Sequence, residues 1–127
     1  ENYLINKYGI PNFTAEEVKR MGPEAVAKEV LKYLDHCDLI YVSFDVDSMD
    51  SRISLGTGTP VPNGLTVAEA KALNVELAKS PKLCAWEIAE VNPTLDSQNS
   101  MAESAFEIME ATAKVLAAQE QLEDSKV

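Results

Sequence analysis

The sequence predicts an α/β chain organised on a parallel sheet, and three observations carry that prediction. An apolar, uncharged run rich in β-branched and aromatic residues, Leu39 to Phe44, has the composition of a strand buried on both faces. Leu83 to Ile88 is a second strand candidate. Between them Thr66 and Glu69 form a capping box, and Ala70, Leu73 and Leu77 line one face of the helix it starts. Strand, helix and strand in that order make a βαβ unit with a right-handed crossover, which brings both strand ends to one edge of the sheet.

The remaining elements follow in chain order. Tyr3 to Ile10 is short and mixed, and Pro11 interrupts it, so it reads as a brief strand or extended lead-in. Thr14 and Glu17 make a first capping box for a short helix that Gly22 ends. Pro23 suits a first helical position, and Val26, Ala27, Val30, Leu31 and Leu34 recur at helical spacing to about Asp35. The polar stretch Asn92 to Asn99 reads as turns. Ser100 and Glu103 then cap a last helix whose buried face is Ala102, Ala105, Phe106, Met109, Ala113 and Leu116. From Gln119 to Val127 the apolar periodicity fades, which fits either fraying or a subunit contact.

The first strand ends in acid. Asp45 and Asp47 are two residues apart, so on extended backbone both carboxylates leave one face with Cα atoms about 6.6 Å apart. Taken alone, the pair also fits a strand running into a solvated turn. A hard divalent cation, or two of them, would hold both ionised, and open α/β sheets place ligands at this edge. Gly56, Thr57, Gly58, Thr59 and Pro60 then form a tight loop suited to closing over a bound group. The same topology puts Glu90, at the end of the second strand, beside Asp45 and Asp47. His36 precedes the first strand, at the opposite end of the sheet, so it reads as a solvated turn residue that shares no metal with Asp45.

Composition sets limits on partners. Net charge is −10, from 21 acidic and 11 basic residues, so no basic patch favours nucleic acid or an anionic membrane. No stretch is long and apolar enough for a membrane span, and the amino terminus is no signal peptide. Cys37 and Cys84 lack metal-ligand spacing and read as buried free thiols of a reducing compartment.

SFDVDSMD followed by GTGTP, with Gly64, Leu65 and Thr66 after it, closely resembles the signature of the ureohydrolase family, and of the arginases within it. Glu87-Ile-Ala-Glu-Val-Asn-Pro93 resembles the family's later strand end, and residues 1–22 resemble the segment before the first motif. The resemblance implies that residues 1–127 are the carboxyl-terminal portion of a three-layer α/β/α parallel-sheet domain, since family members are more than twice as long. It also implies two Mn2+ ions that generate the hydroxide attacking a guanidinium carbon, giving urea and an amine. By resemblance Asp45 bridges both metals, Asp47 ligates one, Glu90 grips the substrate guanidinium and Thr59 lies beneath it. Asp50 and Glu87 are supporting candidates. A cytoplasmic homo-oligomer, trimeric or hexameric, is implied as well.

Departures from the family pattern are Ser48 for glycine, and Ser51 and Leu55 for prolines, which affect the shape of the loop rather than its ligands. The family's D-x-H-x-D cluster and its proton-relay histidine have no counterpart here, so no catalytic residue is assigned and the chain alone is expected to be inactive. Arginine is the expected substrate, with agmatine and formimidoylglutamate as alternates. Two other readings remain. One is a haloacid-dehalogenase-type phosphatase, although Met49 stands where its motif needs Thr or Val; the other is a non-catalytic ureohydrolase-like assembly subunit.

Overall fold

Two threonines start helices as their spacing predicts. Thr14 and Thr66 each accept the backbone N–H of a glutamate three residues on, and each glutamate returns a carboxylate to the threonine backbone. The first box opens α2 (Ala15–Met21) and the second α4 (Val67–Ala78). Gly22 joins α2 to α3 (Pro23–Tyr33): its φ of 92° takes the chain out of one helix and Pro23 opens the next. In this computed structural model, residues 2–96 and 98–124 are described.

The lead-in is not extended. Asn2–Tyr8 forms a helix, α1, which ends at Gly9 with φ 62° and an Ile10 N–H to Ile5 carbonyl bond of 3.1 Å. That left-handed glycine closes the helix before Pro11 is reached, and it is the signal the sequence reading passed over. After α3 a 3-10 turn, Leu34–His36, leads to β1 (Ile40–Asp45). β2 (Leu83–Ala89) runs parallel to β1, with Tyr41 opposite Ala85, Ser43 opposite Glu87 and Asp45 opposite Ala89.

Among the described residues the sheet has these two strands and one helical layer, in which α4 packs between α3 and α5 (Ser100–Asp124). Buried Ile40 and Phe44 face that layer, joined by the partly buried Trp86 and Ile88. The opposite face is bare: Tyr41 is 57% exposed, and Ser43, Ala85 and Glu87 are exposed too. Burial of β1 on both faces therefore does not hold, because no described element covers the second one. The parallel α/β character does hold, with the sheet and one of the two expected helical layers in place.

Sheet and helices are tied by a buried polar side chain that periodicity did not reveal. Asn74 of α4 accepts from the Trp86 indole N–H at 2.8 Å and donates to the Ala70 carbonyl at 2.9 Å. The last helix is rotated from its expected phase. Its buried residues are Met101, Ala105, Ile108 and Thr112, while Phe106 and Met109 are 60% and 42% exposed. Asp96 caps this helix from outside it, accepting the Ala102 N–H at 2.9 Å. The helix continues to Asp124; the last residues of the expected tail, 125–127, lie outside those described, as does residue 97. Cys37 and Cys84 are free, but Cys37 is only partly buried and Cys84 is exposed, at the irregularity where Ile40 pairs with Leu83 and Tyr41 with Ala85. No described helix is long and apolar enough to cross a membrane.

Candidate active site

The end of β1 is built differently from a continuing strand. Extended backbone stops at Asp45, and Val46–Ser48 turns as a 3-10 helix with Asp45 as its cap. The Asp45 Oδ1 accepts the Asp47 N–H at 2.8 Å, and Ser48 Oγ donates to the Asp45 carbonyl at 2.6 Å. Asp45 and Asp47 are therefore not two side chains on one extended face. Asp45 shares the bare face of the sheet with Ser43, whereas Asp47 leaves from the turn and is partly buried.

Thr59 reaches Asp47 from the glycine-rich loop. Its hydroxyl donates to Asp47 Oδ2, while Asp47 Oδ1 is buried and has no hydrogen-bond partner among the described residues. A buried carboxylate oxygen left unmatched costs about 1 to 3 kcal/mol, and more when it is ionised. A hard cation would match it, so the donor set fits a divalent metal, with Asp45 as the neighbouring carboxylate. The set is partial: no cluster of three His, Cys, Asp or Glu occurs among the described residues. Thr57, 4% exposed, also has a hydroxyl without a partner there.

A bridge between Met49 and Leu65, made of two hydrogen bonds, stitches the acidic turn to the segment after the loop. The Asp50 N–H reaches the Leu65 carbonyl and the Leu65 N–H reaches the Ser48 carbonyl, both at 2.9 Å. Gly64 makes this possible, since a Cβ there would lie 2.5 Å from the Met49 carbonyl carbon. Asp50 itself is buried. Its Oδ1 accepts from the Arg52 side chain at 2.7 Å and from the Arg52 N–H at 3.0 Å, which holds the carboxyl down at about 2. That makes Asp50 an anchor of the turn.

Glu90 follows β2 directly. Since Ala89 pairs with Asp45, its backbone stands one residue past the row that ends β1, at the edge expected. Its φ is 66°, a left-handed conformation costing a non-glycine residue about 1 to 2 kcal/mol. Strain of this kind is concentrated at functional positions. The side chain is exposed. Glu87 lies further down the bare face, where the neighbouring Tyr41 hydroxyl, together with the Ser43 hydroxyl that donates to it at 2.9 Å, holds its carboxyl below the usual range.

The turn after β2 is locked to the glycine-rich loop. Asn92 N–H donates to the Gly56 carbonyl at 2.7 Å, and a Cβ on Gly56 would lie 2.6 Å from Asp96 Cβ. Asp96 therefore joins the loop to the start of α5, a link that no local capping pattern announces. His36, by contrast, stays at the far end of β1, exposed, with Nδ1 2.9 Å from the Tyr33 carbonyl. A cleft of about 610 Å³ touches Asp45 and Ser48 but is walled mainly by apolar residues such as Val18, Val26, Val30 and Leu73, unlike a guanidinium site.

A family model described as the arginase family matches residues 1–114. The chain belongs to the arginase family. It is 38% identical over 98 residues to an arginase of Entamoeba histolytica, covering 77% of this chain and 33% of that one. Arginase-1 of Homo sapiens is 40% identical over 97 residues, covering 75% and 30%. Among solved structures, Entamoeba histolytica arginase in complex with L-ornithine superposes with a TM-score of 0.83 at 33% identity, over 88% of this chain and 38% of that one. Formimidoylglutamase from Bacillus subtilis gives 0.85 at 26% identity, over 91% and 36%. The chain thus spans about a third of the length of these arginase-family relatives. Membership in the arginase family removes the phosphatase reading, in which the DVD acids would have been nucleophile and magnesium ligand.

Proposed function

We propose that this chain is the carboxyl-terminal portion of a manganese-dependent ureohydrolase that converts L-arginine to ornithine and urea. The observation that carries the reading is Asp47, with one carboxylate oxygen held by Thr59 and the other buried without a partner among the described residues. Asp45 and Asp47 would hold the cations. When bound, these lower the pKa of water and supply a nucleophile at neutral pH. Thr59 keeps Asp47 from rotating away from the metal. Glu90 would accept two parallel N–H bonds from the planar guanidinium, a geometry that both binds and orients the substrate. The left-handed backbone at Glu90 sets the direction of that carboxylate.

Arginine is preferred because the arginases of Entamoeba and Homo sapiens share 38% and 40% of the aligned residues. The formimidoylglutamase likeness keeps formimidoylglutamate in the comparison, with agmatine. A cytoplasmic homo-oligomer is part of the proposal and is supported by the family resemblance alone.

The test has two arms. Manganese binding to this chain, followed by the electron-spin signal of free Mn2+, should be weak and should vanish in Asp45→Ala and Asp47→Ala. In the complete domain with manganese, urea release should be fastest from arginine and should be lost in the same variants. Retained turnover in Asp45→Ala refutes the assignment.

A further inference from the structure

The amino end of the sheet, opposite the acids, holds a pair of side chains with chemistry of their own. Cys37 follows the 3-10 turn Leu34–His36 on extended backbone, and its N–H closes that turn on the Leu34 carbonyl at 2.9 Å. The change of conformation between the two residues brings their side chains together: His36 Nε2 lies 3.5 Å from Cys37 Sγ. The other ring nitrogen, Nδ1, is 2.9 Å from the Tyr33 carbonyl. A carbonyl only accepts, so Nδ1 carries the ring proton and Nε2 presents its lone pair to the thiol. The Tyr33 ring meets the imidazole edge to face, with centroids 5.9 Å apart, which holds the orientation further. A nucleophile within reach of a base that a third group orients is the arrangement of an activated nucleophile.

The second free cysteine supplies a comparison within the same chain. Cys84 is exposed and Cys37 only partly so, and exposure alone ranks Cys84 as the more reactive. Its Sγ, however, donates to the Ile40 carbonyl at 3.3 Å, and a backbone carbonyl is far too weak a base to remove the proton. A metal is not the occupant that the pair suggests, since no group of three His, Cys, Asp or Glu able to hold one occurs among the described residues.

We propose that Cys37 and His36 form a modification site at which a low-molecular-weight disulfide is captured as a mixed disulfide. As Cys37 Sγ bonds to one sulfur of the disulfide, its proton passes to His36 Nε2. The S–S bond breaks, and the other half leaves as a thiolate that takes that proton back. Cys37 is oxidised and the departing thiol is reduced, so no further reactant enters. The His36 ring is exposed, which gives the disulfide its approach. The site lies at the opposite end of β1 from Asp45 and rests on no part of the ureohydrolase reading.

The probe is the uncharged disulfide of mercaptoethanol, so the acidity of the chain plays no part in its approach. Adduct formation is followed by intact mass in Cys84→Ser, which keeps Cys37, and in Cys37→Ser, which keeps Cys84. Cys37 should react about tenfold or more faster than Cys84, and His36→Gln should remove that advantage while leaving the Cys84 rate unchanged. His36→Phe keeps a ring against Tyr33 and should slow Cys37 equally, which separates the base from the packing. Melting temperatures should stay level across the His36 variants, because the side chain is exposed. A Cys84 rate equal to or above that of Cys37 overturns the proposal, and so does a Cys37 rate that survives both His36 substitutions.

Discussion

Gly64→Ala should damage the acidic turn without touching an acid. No left-handed backbone is involved at this position, so the whole effect comes from contact. The added Cβ would lie 2.5 Å from the Met49 carbonyl carbon and 2.6 Å from the Asp50 nitrogen, against ordinary contacts that begin well above 3 Å. Both atoms are backbone, so no rotamer change relieves the clash, and the bridge must open by most of an ångström. Two hydrogen bonds of 2.9 Å, Asp50 N–H to Leu65 and Leu65 N–H to Ser48, then stretch beyond useful length. At about 0.5 to 1.5 kcal/mol each they account for roughly 1 to 3 kcal/mol. Overpacking adds a further cost of about 1 to 3 kcal/mol. The expected loss is about 2 to 6 kcal/mol, read from urea unfolding followed by far-ultraviolet circular dichroism. Amide exchange should accelerate at Asp50 and Leu65 beyond the global change. A loss below about 0.5 kcal/mol with unchanged exchange at those amides would refute the bridge as the organiser of the turn.

Other perturbations test separate parts of the molecule. The Asp50 carboxyl is held at about 2 by Arg52, below its ordinary value of 3.8, so its contribution to stability is complete above about pH 4 and is lost as pH falls toward 2. Arg52→Ala should flatten that part of the urea-midpoint profile, and an unchanged slope would dismiss the pair. Thr14→Ala and Thr66→Ala each remove a complete capping box and should cost about 1 kcal/mol in unfolding experiments, additively, since they act on different helices. Glu90→Gly relieves the left-handed strain and should be more stable than Glu90→Ala, which keeps it, by up to about 1 kcal/mol; equal stabilities of the two variants would argue against the strain. Thr59→Val frees Asp47 Oδ2 and should lower manganese affinity several-fold with little change in melting temperature, measured by the same spin signal.

What could be read from the sequence was whatever depends on near neighbours in the chain. Both capping boxes, the joint at Gly22 and Pro23, and the parallel pair of acid-tipped strands are each written within a few residues. Longer reach escaped detection. The Asn74 to Trp86 bond links α4 to β2, the Asp96 cap reaches α5 from outside it, and α5 buries Met101 rather than the expected Phe106. At the site, the spacing of Asp45 and Asp47 correctly marked a strand end but gave the wrong backbone. Asp45 can accept the N–H two residues on, and that local bond turns the chain before Asp47 is reached. Gly9 was a missed local signal, overshadowed by Pro11.

The indole of Trp86 makes the molecule its own reporter. It is the only tryptophan, and its N–H is fixed to Asn74, so its fluorescence reads the junction between sheet and helices rather than the average state of the chain. A partly opened form, with helices intact and strands peeled away, would shift its emission to the red while helical ellipticity persisted. The two optical signals together therefore separate loosening of the strands from collapse of the whole.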